Sequence, residues 1–471
     1  MGQILYQILI KSGFSKKMTI DRIQFKVFSI GLLLTISSLA AIGQQMGEDE
    51  KKSTLKGTTQ VDLKAAKLGV EGPGSNLPAE KMQWWEDQKF GMFIHWGLYA
   101  IPATGEWTMF NNKIPANEYA KLADQFNPQH FNADAWAKAA KDAGMKYMVL
   151  TARHHDGFAL WNSPSSYNHF NSWETAAHRD FVKEYTEACR KAGLHVGIYY
   201  SPLDWRFPGY FDPKGLPENA ALLKKQTYGQ VEELMKNYGK IEILWYDGGW
   251  LAHKGSDADA AWFWEPLKLN AMVRSYNPDI VINPRSGMVG DFQTNEGDAP
   301  VKGPILPFPW EKCLNLNRSS WGYNKTQNLM PLELIIDYLV NIVDRGGNML
   351  LNVGPDPNGV IPTTHVERLR EVGQWLAKNG EGIYGTRPGP FEPVDGYYGS
   401  TYKGNRIYIH LLKVPEGATE IKLPASDKII TSCKILGGPE VKFSQDQNGI
   451  TINLNTTQLS PTVTTIVLET K

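Results

Sequence analysis

Histidine, tryptophan, tyrosine, aspartate and arginine recur in this chain just after short apolar runs. The run at 90–94 is followed by His95-Trp96-Gly97 and then by Gly105-Glu106-Trp107. The run at 147–151 leads to Arg153-His154-His155-Asp156-Gly157-Phe158, with Trp161 beyond it. The run at 195–201 carries Tyr200 and leads to Leu203-Asp204-Trp205; that at 242–246 carries Trp245 and leads to Asp247-Gly248-Gly249. A fifth, at 280–282, is followed by Asn283 and Arg285. One histidine after a strand is ordinarily structural, but five successive run ends bearing such residues are hard to explain as packing. Neutral donors, aromatic faces and few charges suit an uncharged, hydroxyl-rich ligand such as a sugar. Indole rings also stack well on the C–H faces of sugars.

Asp247 is the residue around which chemistry can be organised. Glu242-Ile243-Leu244-Trp245-Tyr246 follows the turn Asn237-Tyr238-Gly239-Lys240 and ends at a glycine pair. Such a run reads as a strand buried on both faces of a parallel sheet. In a parallel barrel the carboxyl ends of strands line the active site; the plainer role of such an aspartate is to cap the next helix. Glycoside hydrolysis requires a second carboxyl group. The loop stretch at 291–298 supplies Asp291, Glu296 and Asp298, and Pro309-Trp310-Glu311 supplies another, and position alone does not choose among them. His95, His154 and His155 are also metal ligands in principle. Neither an HxH nor an HExxH spacing is present, so no metal and no other cofactor is expected.

These side chains need strand ends to hold them. From Leu77 onward, helical patterns near 82–86, 132–142, 179–191 and 221–236 each precede an apolar run, and 313–316 and 349–353 add two more strands. About seven strands alternating with helices predict an irregular (β/α)₈ barrel over 77–385. No glycine-rich dinucleotide loop follows the first strand, which weighs against a doubly wound sheet. From 386 to 471 the pattern changes to period two, as in 406–410, 419–423, 451–454 and 464–468. That alternation predicts a C-terminal antiparallel β-sandwich, with packing against the barrel as its simplest role.

The 49 basic and 49 acidic residues among 471 balance, so nucleic acid is not an expected partner. Cys189, Cys313 and Cys433 are an odd number without metal spacing. Lys16, Lys17, Arg22 and Lys26 precede an apolar run at 27–42 and the small-residue pattern Ala41-Ile42-Gly43. Residues 1–43 therefore read as a signal peptide, with Met18 an alternative start, and 44–76 as a polar linker. The apolar run is too short and serine-rich for a membrane span. Export to a periplasm or to the extracellular space is expected, with no stable membrane insertion once the signal is removed.

Several of these segments together resemble the α-L-fucosidases of glycoside hydrolase family 29. They are Phe93-Ile94-His95-Trp96-Gly97, Gly105-Glu106-Trp107, Arg153-His154-His155-Asp156-Gly157-Phe158, Tyr199-Tyr200-Ser201 and Leu244-Trp245-Tyr246-Asp247-Gly248. Trp310-Glu311, Ser320-Trp321-Gly322-Tyr323 and Leu350-Leu351-Asn352-Val353-Gly354-Pro355 extend the likeness, in the family's order, across about 77 to 385.

The resemblance implies a barrel followed by a β-sandwich and a retaining exo-hydrolase of terminal α-L-fucosides on oligosaccharides or glycoconjugates. It implies Asp247 as nucleophile, with His95, Glu106, Trp107, His154 and His155 holding the fucose hydroxyls. Tyr200, Trp245 and Arg285 would surround the nucleophile and the ring. The family's acid/base lies in a variable loop, and Asp291-Phe292-Gln293-Thr294-Asn295-Glu296 fits one form of it, which selects Glu296. The competing readings are another retaining exo-glycosidase, such as a galactosidase, and an inactive sugar-binding barrel.

Overall fold

The computed structural model describes residues 69–455 and 459–471; the expected leader and most of the polar segment after it lie outside the described residues. Eight parallel strands form the barrel sheet: β1 (Phe90–Ile94), β2 (Tyr147–Arg153), β3 (His195–Tyr200), β4 (Ile243–Tyr246), β5 (Val281–Ile282), β6 (Gln293–Glu296), β7 (Trp310–Asn315) and β8 (Gly347–Val353). Helix α1 (Ala79–Gln88) precedes them, and α2 (Ala133–Asp142), α3 (Phe181–Lys191), α4 (Pro217–Asn237), α5 (Pro266–Tyr276) and α6 (Leu332–Asp344) lie in the connections. A seventh, α7 (Thr363–Asn379), follows β8.

Local chemistry sets these boundaries. Asn132 Oδ1 accepts the Ala135 amide at 3.1 Å and Asp180 Oδ1 that of Lys183 at 2.8 Å, so each side chain caps the helix it precedes. Past the ends of the same two helices, Gly144 and Gly193 take positive φ and turn the chain into β2 and β3. Along the strands alternate side chains face opposite ways. Phe93, Tyr147, Val149, Tyr199, Trp245, Cys313 and Leu350 fill the barrel interior as one buried cluster. Met92, Met148, Leu150, Ile198, Tyr200, Leu244 and Leu351 belong to the larger cluster that includes the surrounding helices. Each large apolar side chain so buried contributes about 1.5–3 kcal/mol.

The sheet runs β5-β4-β3-β2-β1-β8-β7-β6, so its strand ladder stops between β5 and β6. Asp291 bridges that gap. Its amide donates to Ile282 O at 2.7 Å, and its carboxylate accepts the amides of Ile282 at 2.6 Å and Leu77 at 2.5 Å. Arg274 completes its shell at 3.0 Å. Asp291, a candidate for the second catalytic carboxyl, is thus a structural seam at the entry to β6. It stands in for ladder bonds that two-residue β5 cannot supply. Part of the segment read as linker is also docked here, since Val70 exchanges backbone bonds with Gly287 and Val289.

The C-terminal strands form two antiparallel sheets. One orders β13 (Ile430–Ile435), β16 (Thr464–Thr470), β11 (Arg406–Leu411), β10 (Tyr398–Lys403) and β9 (Arg387–Pro388). The other orders β12 (Glu420–Leu423), β15 (Gly449–Asn453) and β14 (Phe443–Asp446). Ile407, Ile409, Ile421, Leu423, Ile450, Ile452, Ile466 and Leu468 form the core of this sandwich. Arg387 Nη1 reaches Asp87 of α1 at 2.7 Å and Arg345 Nη2 reaches Asp395 at 2.8 Å, which fastens the sandwich to the barrel. Among the described residues no helix is long and apolar enough to cross a membrane.

Candidate active site

The carboxyl ends of β1 to β6 converge on one group of polar side chains. Asp247 follows β4, Arg285 stands in the turn after β5, and Glu296 is the last residue of β6. Arg285 Nη1 donates to Asp247 Oδ1 at 2.7 Å and to Glu296 Oε1 at 2.6 Å. The Tyr199 hydroxyl donates to Asp247 Oδ2 at 2.8 Å, and His155 Nε2 lies 3.6 Å from the same oxygen. Both carboxylate oxygens of Asp247 thus accept a strong donor, one a guanidinium and the other a phenol.

Burial raises the pKa of Glu296, with Arg285 opposing and Asp247 adding to the shift. A carboxyl group so placed stays protonated to higher pH than a free glutamate. Glu296 differs from the sequence reading in its setting: it ends a short strand rather than riding on a loose loop. Gln293-Thr294-Asn295-Glu296 offers no apolar residue to mark that strand, which pairs on one side only, with β7.

Three imidazoles line the other side. His95 and His154 have ring centres 5.6 Å apart, and His154 and His155 4.1 Å. Burial lowers the pKa of His95 to about 4 and those of His154 and His155 well below the usual value, so all three are neutral. Asn352 Nδ2 donates to Asn315 Oδ1 at 2.9 Å and to Trp321 O at 2.7 Å. Its Oδ1 therefore accepts from His95 Nδ1 at 2.7 Å, which leaves His95 Nε2 as a hydrogen-bond acceptor. His155 Nδ1 is engaged by Ser201 Oγ at 2.7 Å. Trp107 stands edge-on to His155 with ring centres 5.4 Å apart. Buried Glu106 accepts the Gly322 amide at 2.7 Å and has its pKa raised by burial.

Two of the expected positions need correction or refinement. Tyr200 faces away from the site: its hydroxyl donates to Gln230 of α4 at 2.9 Å and its ring lies under Arg153. Adjacent residues of a strand point to opposite faces, and the register that pairs Tyr199 with Trp245 puts Tyr199 inside. Trp245 forms the floor. It stacks on Tyr199 at 5.8 Å, lies beneath Arg285 at 5.5 Å, and donates its indole N–H to Glu311 Oε1 at 3.0 Å.

The remaining acidic candidates have other partners. Glu311, near the start of β7, is buried in the barrel interior and also accepts the Tyr147 hydroxyl at 2.5 Å. Asp298 pairs with Arg318 at 2.9 Å on the surface. Besides Tyr199, sequence reasoning passed over Asn352, which sets the His95 tautomer, and Trp321, whose ring is 5.2 Å from that of His95. Both stand in segments noted for their likeness to known enzymes, yet neither follows one of the five apolar runs whose ends were read as the site.

Ligand atoms of His154, His155 and Asp247 lie within 4.8 Å of one another, close enough to consider a metal ion. The guanidinium of Arg285, in direct contact with Asp247, already supplies positive charge there and opposes a second cation.

Comparisons with known proteins bear on the family and the fold. The family model described as Alpha-L-fucosidase matches residues 60–381. The chain is 33% identical over 416 residues to the tissue alpha-L-fucosidase of Mus musculus, covering 81% of this chain and 88% of that protein. It is also 33% identical over 420 residues to the plasma alpha-L-fucosidase of Homo sapiens, covering 80% and 87%. Alpha-L-fucosidase isoenzyme 1 from Paenibacillus thiaminolyticus superposes with a TM-score of 0.73 at 35% identity, over 83% of this chain and 99% of that one. An alpha-L-fucosidase from Bacteroides thetaiotaomicron, solved as a trapped covalent intermediate with 2-fluoro-fucosyl fluoride, gives 0.76 at 27% identity over 86% and 99%. With its barrel, its sandwich and this cluster of strand-end residues, the chain belongs to the α-L-fucosidase family of glycoside hydrolases.

Proposed function

We propose that this protein removes terminal α-L-fucosyl residues from oligosaccharides or glycoconjugates with retention of anomeric configuration. One observation carries the stereochemistry. Asp247 Oδ1 and Glu296 Oε1 both accept from Arg285 Nη1, so the two oxygens lie no more than about 5.3 Å apart. Retaining pairs stand about 5–5.5 Å apart, whereas inverting pairs need about 6.5–9.5 Å to admit a water.

In the proposed cycle Asp247 attacks the anomeric carbon while Glu296 gives its proton to the departing glycosidic oxygen. The carboxylate–carbon bond forms as the glycosidic bond breaks. Esterification removes the charge of Asp247, which lowers the proton affinity of Glu296 and lets it act as base. Water, deprotonated by Glu296, then attacks the same carbon and releases fucose and free Asp247. Arg285 and Tyr199, bonded to the two oxygens of Asp247, hold the carboxylate in the orientation for attack. His95 Nε2 is an acceptor for a sugar hydroxyl, and His154, His155, Trp107 and Glu106 line the remainder of the fucose site.

The basic and then apolar N-terminus supports export as the setting, a periplasm or the extracellular space. A 2-fluoro-fucosyl probe tests the chemistry. It is expected to accumulate as an ester on Asp247, located by peptide mass. An ester on another carboxyl group would overturn the assignment.

A further inference from the structure

The loop that leaves β4 carries a strained turn beside the site. Leu251 and Lys254 pair across Ala252 and His253, whose φ values are +54° and +53°. Two consecutive left-handed residues make the mirror-image tight turn that ordinarily demands asparagine and glycine. An alanine and a histidine held there require something to fix them.

What fixes them is His253. Its amide donates to Tyr210 Oη at 3.2 Å, and its ring packs 5.0 Å from Phe110 and 5.6 Å from Trp107. Both ring nitrogens face indole donors: Trp205 Nε1 lies 3.2 Å from Nε2 and Trp250 Nε1 lies 3.2 Å from Nδ1. Burial lowers the His253 pKa to about 4, so the ring is neutral and has a single lone pair. Only one of the two indoles can donate. Trp205 is buried and has the larger penalty for an unmade bond, so it takes the lone pair on Nε2. Nδ1 then carries a proton that confronts the N–H of half-buried Trp250, and that indole is left seeking an acceptor.

Trp250 is placed to find one on a ligand. Its backbone is anchored by Asp257 Oδ1 at 3.0 Å, and the Arg285 guanidinium lies 5.8 Å from its ring. Arg285 in turn bonds both Asp247 and Glu296, so Trp250 borders the catalytic pair. We propose that Trp250, positioned by His253 on its strained turn, forms the subsite for the neutral sugar from which fucose is cleaved. The indole face stacks on that sugar and the spare N–H donates to one of its hydroxyls. This rests on the fucosidase reading above.

The test compares two substrates of the whole enzyme. α-L-Fucosyl fluoride has a one-atom leaving group and reads the fucose site, whereas the best-cleaved neutral fucosylated trisaccharide reads both sites. Trp250→Phe keeps an aromatic ring and removes the N–H. It is expected to lower the trisaccharide-to-fluoride ratio of kcat/KM about tenfold, mainly through KM for the trisaccharide. His253→Ala, which frees the turn, is expected to lower the same ratio. A collapse of the loop would depress both substrates together, and an unchanged ratio in both variants would overturn the subsite. If the wild type hydrolysed no fucosyl fluoride, the fucosidase reading itself would fall, and the subsite with it.

Discussion

The Tyr199 hydroxyl donates to Asp247 Oδ2 at 2.8 Å, while Tyr200, the next residue, turns its hydroxyl to Gln230 outside the barrel. One strand thus delivers one phenol to the nucleophile and the other to a helix. Tyr199→Phe is expected to lower kcat/KM between ten- and a hundredfold, because a hydrogen bond to a charged group contributes about 1.5–3 kcal/mol. Tyr200→Phe is expected to leave kcat/KM within about twofold and to cost on the order of 1 kcal/mol of stability. Steady-state kinetics and denaturant unfolding of the two variants check both halves. Equal kinetic losses would show that the strand's facing had been misassigned.

That pair also shows where the sequence stops being legible. The runs that became β1 to β4 are apolar and end in polar clusters, so strand ends and their cargo could be read directly. Choosing between Tyr199 and Tyr200 needs the register against Trp245, which is a property of the assembled sheet. Gln293-Thr294-Asn295-Glu296 was invisible as a strand because it has no apolar side chain and borders the gap bridged by Asp291. Helix α6, Leu332–Asp344, was passed over although Glu333, Asp337 and Asn341 recur every four residues; its otherwise continuous apolar run reads equally as buried strand. The acid candidates Asp291, Asp298 and Glu311 were equivalent as residues; only their partners in the fold separate them from Glu296.

Glu311 makes the protein's stability depend on pH. Burial in the barrel interior pushes its pKa up from 4.5 to about 7 despite bonds from Tyr147 and Trp245. The folded state therefore holds this proton more tightly than the unfolded chain does. Its stabilising contribution is complete below pH 4.5 and is lost as pH rises through about 7. The loss amounts to roughly 3 kcal/mol. Glu311→Gln, which has no proton to lose, is expected to gain on the wild type by that order between pH 4.5 and 8. Unfolding by urea across this range measures it, and parallel curves for the two proteins would mean that Glu311 titrates normally.

The identity of the acid/base is decided by leaving groups and by azide. Glu296 shares Arg285 with the nucleophile at the carboxyl ends of the strands, whereas Glu311 is held by Tyr147 and Trp245 beneath them. Removing the acid slows substrates with poor leaving groups far more than activated aryl fucosides, whose departure needs little protonation. Glu296→Ala is therefore expected to lose activity on fucosylated oligosaccharides by orders of magnitude more than on aryl fucosides. Glu311→Ala, which disturbs the barrel floor, is expected to harm both alike. Azide then distinguishes the roles by product. In Glu296→Ala the small anion enters the space of the lost carboxyl and attacks the fucosyl ester on Asp247, giving the α-fucosyl azide with retention. In Asp247→Ala it occupies the place of the nucleophile and gives the β product. Azide rescue of Glu311→Ala, with Glu296→Ala unresponsive, would transfer the acid role to Glu311 and leave Asp247 as nucleophile.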